Sequence, residues 1–412
     1  MSTAAAAGTG VDDDVAEYRA TARAWLLEHT EPKSDAGPYE ALFWMVGREA
    51  EEARHHATGA MMRRLHAAGY ASFTMPAEYG GQGGESWMQR VFAEESADRE
   101  VNPGFYASIA AMAGPAILQF GTEAQKQAHL PGLLSGEVTW CQLFSEPGAG
   151  SDLAALGCRA VRDGDEFVIT GQKVWNSAAM WADMGILLVR TDPTLPKHKG
   201  ITFLMVDMSA PGVEVRPLVQ ANGAGHFAEV FFDEYRCGVD QVLGDVNAGW
   251  SPARVVMANE SASIGGNKWD YPATLARLAA ELGSADDPLV RQALADAHIR
   301  QRILGWTGQR LKESMRSGGR RPSPHPSVLK LFVAESRRLE GELAQRLLGP
   351  AGVADVHEAS AWAMERLVNR FSVSIGGGTN EVHRNNLGEQ ALGLPRDPRA
   401  DKDTPWAEIP KG

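Results

Sequence analysis

The chain has 412 residues, 44% apolar and 22% charged, with a formal net charge of −12. That length allows a large core and two or three domains, and the acidic balance argues against a nucleic-acid binder, which needs a basic face. No apolar run approaches a membrane span. Cys141, Cys158 and Cys237 have no metal-ligand spacing and form no even disulfide set, so they read as buried thiols of a reducing compartment. The histidines show no HExxH or His-x-His pattern, so no metal is expected. The start of the chain lacks the basic, apolar sequence of a signal peptide, and a cytoplasmic protein is expected.

From about residue 12 to 135 the pattern is helical. Ala16 to His29, Glu49 to Ala68, Ser86 to Arg99 and Phe105 to Phe120 carry apolar stripes or are apolar throughout. Gly121-Thr122 caps a further helix from Glu123 to His129. The glycines of Met75-Pro-Ala-Glu-Tyr-Gly-Gly-Gln-Gly-Gly84 do not fit GxGxxG, and no strand precedes them, so a tight turn between helices is the reading.

From about 138 to 245 the period changes to two. Arg159 to Val161 and Glu166 to Thr170 flank a hairpin turn at Arg162-Asp-Gly-Asp165. Ile186 to Arg190, Ile201 to Asp207, Val213 to Arg216 and Glu229 to Phe232 are further strands. Many short strands without helices imply a small barrel or sandwich. At its start, Phe144-Ser-Glu-Pro-Gly-Ala-Gly-Ser-Asp152 gathers turn formers and hydroxyls behind an apolar run. Pro147, Gly148 and Gly150 predict a concave nest of backbone N–H groups. Trp175 and Ser177, two apart on a strand, project to one face and together suit a planar ring. Taken singly, each piece also reads as surface loop or core.

Beyond Ser251-Pro252 the pattern is helical again. Asp287-Pro288 opens a second helix, Ser327 to Leu348 is a third and Glu358 to Phe371 a fourth, which makes a bundle. Ser317-Gly-Gly-Arg-Arg-Pro-Ser-Pro-His-Pro326 is a loop whose arginines could reach a phosphate, a solvated loop being the alternative.

The pair Phe144–Asp152 and Gly171-Gln-Lys-Val-Trp-Asn-Ser177 resembles the flavin-binding signature of the acyl-CoA dehydrogenase family. The resemblance covers nearly the whole chain. Pro76-Ala-Glu-Tyr-Gly-Gly-Gln-Gly83 resembles a turn of that family's helical domain. Leu347-Leu-Gly-Pro-Ala-Gly-Val353 is similar to its flavin-contacting turn, Gly376-Gly-Gly-Thr-Asn-Glu-Val-His-Arg-Asn385 to its late loop, and Leu392-Gly-Leu-Pro-Arg396 to the tail of bacterial members. The resemblance implies an α+β multi-domain fold. An N-terminal helical domain (1–136) would be followed by a central β-barrel (137–246) and a C-terminal four-helix bundle (247–412). It also implies FAD as cofactor, an acyl-CoA substrate, an electron-transfer flavoprotein as acceptor, and a homotetramer or homodimer, with a heteromer as an alternative. Carried over by position, Gln142, Phe144 and Ser145 line the flavin ring, and Trp175 and Ser177 cover it and bond its reactive nitrogen. Gly349, Thr379 and Glu381 make further cofactor contacts. Ser151 and Gly378 touch the thioester. A neighbouring subunit completes the cofactor site in relatives; the usual Arg-x-Phe-Gly motif is missing here, and Arg291 is the candidate substitute, a surface ion-pair arginine being the alternative.

The chemistry of that family needs a carboxylate to take the α-proton of the thioester. In many members it lies immediately before the Gly-Thr of the late loop, where this chain has Gly377. Others supply it from the first bundle helix, and the matching residue here is Glu260. Val256, Met257, Glu260 and Ile264 share one helix face, so Glu260 is either a rim carboxylate or one buried for a purpose. Ser261 replaces the arginine that usually follows. Two other readings stay open at the level of sequence: a flavin monooxygenase on the same fold, and a non-catalytic subunit of a heteromer.

Overall fold

The computed structural model describes residues 9–33, 39–41, 45–266, 271–316, 325–396, 398 and 401–410. Five helices come first: α1 (Thr9–His29), α2 (Arg48–Ala67), α3 (Ser86–Glu95), α4 (Gly104–Phe120) and α5 (Glu123–Ser135). Thr122 and Gln125 form a reciprocal capping box at the start of α5. That helix runs six residues past the expected His129, carrying Pro131 inside it. Helix α3 instead stops at Glu95, four residues short of Arg99. The turn around Met75–Gly84 is a turn, built on a short 3-10 segment at Ala77–Tyr79.

Seven strands follow: β1 (Trp140–Leu143), β2 (Arg159–Asp163), β3 (Glu166–Ser177), β4 (Met184–Arg190), β5 (Ile201–Asp207), β6 (Val213–Leu218) and β7 (Phe227–Gly238). They form one curled sheet, a half-barrel, in the order β1-β4-β2-β3-β7-β6, with β5 on the other side of β4. Strand β4 pairs with β1 along Met184–Leu187 and touches β2 only at Arg190. Strands β1 and β2 therefore lie end to end along one edge of β4, and the segment 144–158 is the link between them. Strands β3 and β7 are each one continuous twelve-residue strand rather than short pieces, interrupted by register shifts between Ile169 and Gly171 and between Lys173 and Asn176.

Strands β4 and β5 are buried on both faces, which is why they read as unbroken apolar runs. Ile186, Leu188, Phe203 and Met205 face a core shared with α4 and α5, while Leu187, Val189, Leu204 and Val206 fill the inside of the curl. Each such fully buried aliphatic or aromatic side chain contributes roughly 1.5–3 kcal/mol.

The last part is helical: α6 (Trp250–Gly266), α7 (Tyr271–Glu281), α8 (Pro288–Arg316), α9 (Pro326–Leu348), α10 (Pro350–Val353), α11 (Ser360–Asn369), α12 (Ser372–Ile375) and α13 (Asn380–Asn386). Asp287 caps α8 by accepting from the Leu289 amide at 2.7 Å. Helix α7, which sequence periodicity did not single out, joins α9 and α11 in one core through Leu275, Leu278, Leu343 and Trp362. The expected helix Glu358–Phe371 is the shorter α11 followed by the separate turn α12. Of the proline-rich loop 317–326, residues 317–324 lie outside the described residues. Among the described residues no helix is long and apolar enough to cross a membrane.

Candidate functional site

Helix α6 packs with Ala253 and Val256 fully buried in the core shared by α4 and the sheet, with Met257 against it. One turn further on, this face presents Glu260 toward β1. Its carboxylate lies 3.5 Å from Nε2 of Gln142. Burial pushes the Glu260 carboxyl above the ordinary range, and the Gln142 amide acts the other way by favouring the anion. The helix and the strand thus bring the candidate base and a candidate ring-lining residue together. Side chains beyond Glu260 on α6, Ser261 and Ile264 included, lie outside the described ones.

Gln142 is itself fixed from β3, because its carbonyl accepts from Nδ2 of Asn176 at 2.8 Å. Phe167, Ile169 and Lys173 are buried along β3, and after the bulge the parity flips to bury Val174 and Asn176. Trp175 sits at the flip with φ of 63°, a left-handed conformation that an aromatic residue rarely adopts. Its indole is 60% exposed, its edge set against Phe227 at 5.8 Å between ring centres. Ser177 is half-buried two residues on. The bulge therefore turns an indole outward beside the Asn176–Gln142 hydrogen bond that ties β3 to β1.

The loop after β1 differs from the expected nest. Neither Gly148 nor Gly150 has a positive φ, so the alternation of hand that builds a nest is not formed. A Cβ on either glycine would meet nothing within 4 Å. The loop is held instead by Glu146, which sequence reasoning passed over. Its carboxylate accepts from the amides of Gly157 (2.7 Å) and Cys158 (2.9 Å) and pairs with Nζ of Lys173 at 2.6 Å. Lys173 is fully buried and also donates to the Phe144 carbonyl at 3.0 Å. The available signal was a lysine at an inward position of an apolar strand. The Phe144 ring is likewise committed inward, edge-on to Phe203 at 5.7 Å in the core, so only its backbone remains for a cofactor. Ser145 is half-buried, and Ser151 is exposed at the far end of the loop.

A second group lies on the bundle. Gly377 and Gly378 take φ of 65° and 90°, which suits glycine alone. The Gly377 carbonyl accepts from Nε2 of His383 at 3.0 Å, and that of Gly378 from the buried Nζ of Lys330 on α9. Thr379 spends its hydroxyl as the N-cap of α13, accepting from the Val382 amide at 3.3 Å. Glu381 is exposed and paired with Arg384 at 2.9 Å. Gly349 ends α9 at the opposite extremity, in a conformation open only to glycine (φ 54°, ψ −136°). Arg291 is exposed one turn into α8. Lys330 and Gly349 are 19 residues apart on one helix, about 28 Å along its axis. One chain therefore does not bring Thr379 and Gly349 around a single ring.

Comparison with known proteins bears on the family and the fold. Family models match three successive stretches: the acyl-CoA dehydrogenase N-terminal domain at 13–137, the middle domain at 141–235 and the C-terminal domain at 253–392. The chain belongs to the acyl-CoA dehydrogenase family. It is 36% identical over 394 residues to the acyl-CoA dehydrogenase IpdE1 of Mycobacterium tuberculosis, covering 93% of this chain and 99% of that protein. The IpdE1 of Mycolicibacterium smegmatis is 33% identical over 401 residues, with the same coverage. Among solved structures, the ChsE4-ChsE5 complex from Mycobacterium tuberculosis is similar (28% identity, TM-score 0.70, 93% of this chain and 98% of that one). So is the Tcur3481-Tcur3483 steroid ACAD (27% identity, TM-score 0.70, with the same coverage).

This acyl-CoA dehydrogenase homologue is therefore an oxidoreductase of a family that uses FAD. Its residues fit a flat ring. An outward indole on a strained bulge, half-buried hydroxyls at Ser145 and Ser177, and the Gln142 amide supply stacking and hydrogen bonding along one edge of the sheet.

Proposed function

We propose that the protein removes two hydrogens from an acyl-CoA thioester, giving the trans-2-enoyl-CoA, and passes the electrons to an electron-transfer flavoprotein. The observation that carries this reading is the half-buried Glu260 carboxyl, with its raised pKa, held against Gln142 at the sheet edge that bears Trp175 and Ser177. FAD bound along that edge supplies the acceptor for the β-hydrogen. Glu260, as the anion, takes the α-proton. Gln142, Ser145 and Ser177 orient the ring, and Trp175 covers it and excludes water. Ser151 and the glycine loop at Gly378 hold the thioester. With Gly377 standing where many relatives carry the carboxylate, the late loop would have space for a bulky acyl group. The similar Tcur3481-Tcur3483 protein is a steroid ACAD, which makes a ring-bearing acyl chain the first candidate to test.

The test is anaerobic flavin reduction by a panel of straight, branched and ring-bearing acyl-CoA thioesters. At least one should bleach the wild-type flavin. Glu260→Gln should keep the flavin and lose the bleaching, and bleaching at the wild-type rate would remove Glu260 from the role. Rapid consumption of oxygen by the reduced protein would instead favour a monooxygenase.

The separation of Gly349 from Thr379 supports a second element of the reading: the site is completed by another subunit, with Gly349 and Arg291 of one chain serving the ring of the next. That neighbour is a second copy or a paralogue. The similar ChsE4-ChsE5 complex joins two differently named proteins, which makes the heteromer a specific alternative.

A further inference from the structure

The C-terminal segment returns to the sheet and lies against the loop that carries Ser151. Residues 401–410 fall outside the stretch matched by the family's C-terminal domain. The segment is docked by backbone bonds, Trp406 N–H to Leu195 O and Ala407 N–H to Pro193 O, both 2.9 Å. Its indole Nε1 donates to Ala155 O at 3.0 Å, and the ring lies 5.0 Å from the guanidinium of Arg190. Arg190 is itself buried and reaches the same limb, donating to Ala154 O at 2.6 Å and to Leu156 O at 3.3 Å. Lys197 closes the arrangement. Its ammonium pairs with Asp152 at 2.6 Å and with Asp401 at 2.8 Å. Gly157 abuts the indole so closely that a Cβ there would stand 3.4 Å from it.

We propose that Asp401–Ile409 is a strap that sets the position of the limb 151–157 and, through it, the affinity for the coenzyme A thioester, with Trp406 as the positioning residue. The second half rests on Ser151 as a thioester contact. The limb is gripped from two sides. Glu146 takes the amides of Gly157 and Cys158 from within the sheet domain, and the strap takes the carbonyl of Ala155 and, through Lys197, the carboxylate of Asp152. Ser151 is exposed immediately before the first gripped residue, so it inherits the order of the limb. Because Arg190 and Glu146 remain when the strap is loosened, the domain keeps its fold while the limb gains freedom. A binding residue that must be ordered by the ligand binds it more weakly.

The test uses the full-length holoprotein and the variants Trp406→Ala, Trp406→Phe and Asp401→Asn. Amide hydrogen exchange over 151–157 should quicken about tenfold in Trp406→Ala, the signature of local opening. The dissociation constant for coenzyme A, measured by calorimetry, should rise by a similar factor, about 1.4 kcal/mol. With a thioester that reduces the wild type, KM should rise while kcat and the flavin spectrum stay. Trp406→Phe keeps a ring over Arg190 but loses the N–H, and should fall between. Asp401→Asn, which weakens the Lys197 link and leaves the indole in place, should quicken exchange less than Trp406→Ala does. Unchanged exchange in Trp406→Ala overturns the strap, and this arm decides even if no thioester proves to be a substrate. Faster exchange with unchanged coenzyme A affinity overturns its link to binding, as does a fall in kcat with KM unmoved.

Discussion

Glu260 is a carboxylate whose surroundings pull in two directions. Burial favours the protonated form, and the Gln142 amide favours the anion. As a base it works only when ionised, so kcat/KM should rise with pH through its raised pKa. Replacing Gln142 by Leu removes the amide that favours the anion, and the acidic limb of the kcat/KM profile should move to higher pH. A limb that stays in place would mean that the amide does not act on Glu260. The same shift has a stability side. The folded protein holds this proton to higher pH than the unfolded chain does, so the contribution of Glu260 to stability falls as pH rises through that range. Glu260→Gln should abolish that fall, read as unfolding midpoints across pH.

At the level of elements, the loop between β1 and β2 is held from within the sheet domain by the Glu146–Lys173 pair. Removing one partner of a buried pair leaves the other charge uncompensated, which costs about 3–5 kcal/mol. Lys173→Met should therefore destabilise strongly in urea, and Lys173→Met with Glu146→Gln should cost less than the two single changes added together. Helices α8 and α9 hold a related case. Glu340 lines a cavity of about 270 Å³ between them, and burial raises its pKa from 4.5 to about 7, with Arg337 and Arg366 opposing. The cost of its charge sets in between those two values and is complete above pH 7. Glu340→Gln should raise the melting temperature by roughly 3 °C at pH 8 and leave it unchanged near pH 4.5. These elements also show what a sequence carries and what it does not. Strands β4 and β5, buried on both faces, were legible as apolar runs, and the stripe through Val256 and Met257 pointed Glu260 at the core. The bulge at Trp175 was not legible, because a register shift depends on the partner strand β7. The nest was misread for a related reason: the glycines permit it, but the grip of Glu146 on Gly157 and Cys158, eleven and twelve residues away, decides the loop. Helix α5 outran its proline because the capping box and the core residues Leu130, Leu133 and Leu134 outweigh one lost amide.

For the whole molecule, α9 is the measuring rod. It carries Lys330 under the late loop at one end and Gly349 at the other, and the family resemblance assigns the late loop and Gly349 to one cofactor site. A rigid helix of this length cannot fold back on itself, so if both ends hold flavin, as proposed, they serve different rings, and the smallest unit with a complete site is then a pair of chains. Association and cofactor binding are then linked: each chain contributes to its neighbour's affinity for FAD, and dissociation of the pair removes contacts at both sites. Dilution should release FAD together with the loss of the dimer, with the midpoint for flavin fluorescence recovery tracking the midpoint for dissociation by mass photometry, and added FAD should shift the dissociation to lower protein concentration. Arg291→Ala should weaken FAD binding at a fixed oligomeric state if that arginine reaches the neighbour's cofactor. A chain that stays yellow as a monomer, with an FAD affinity independent of its own concentration, would require both ends of α9 to be read as structural. If the chain alone remains colourless and gains flavin only when mixed with a paralogue, the linkage still holds, and the neighbour is then a different protein.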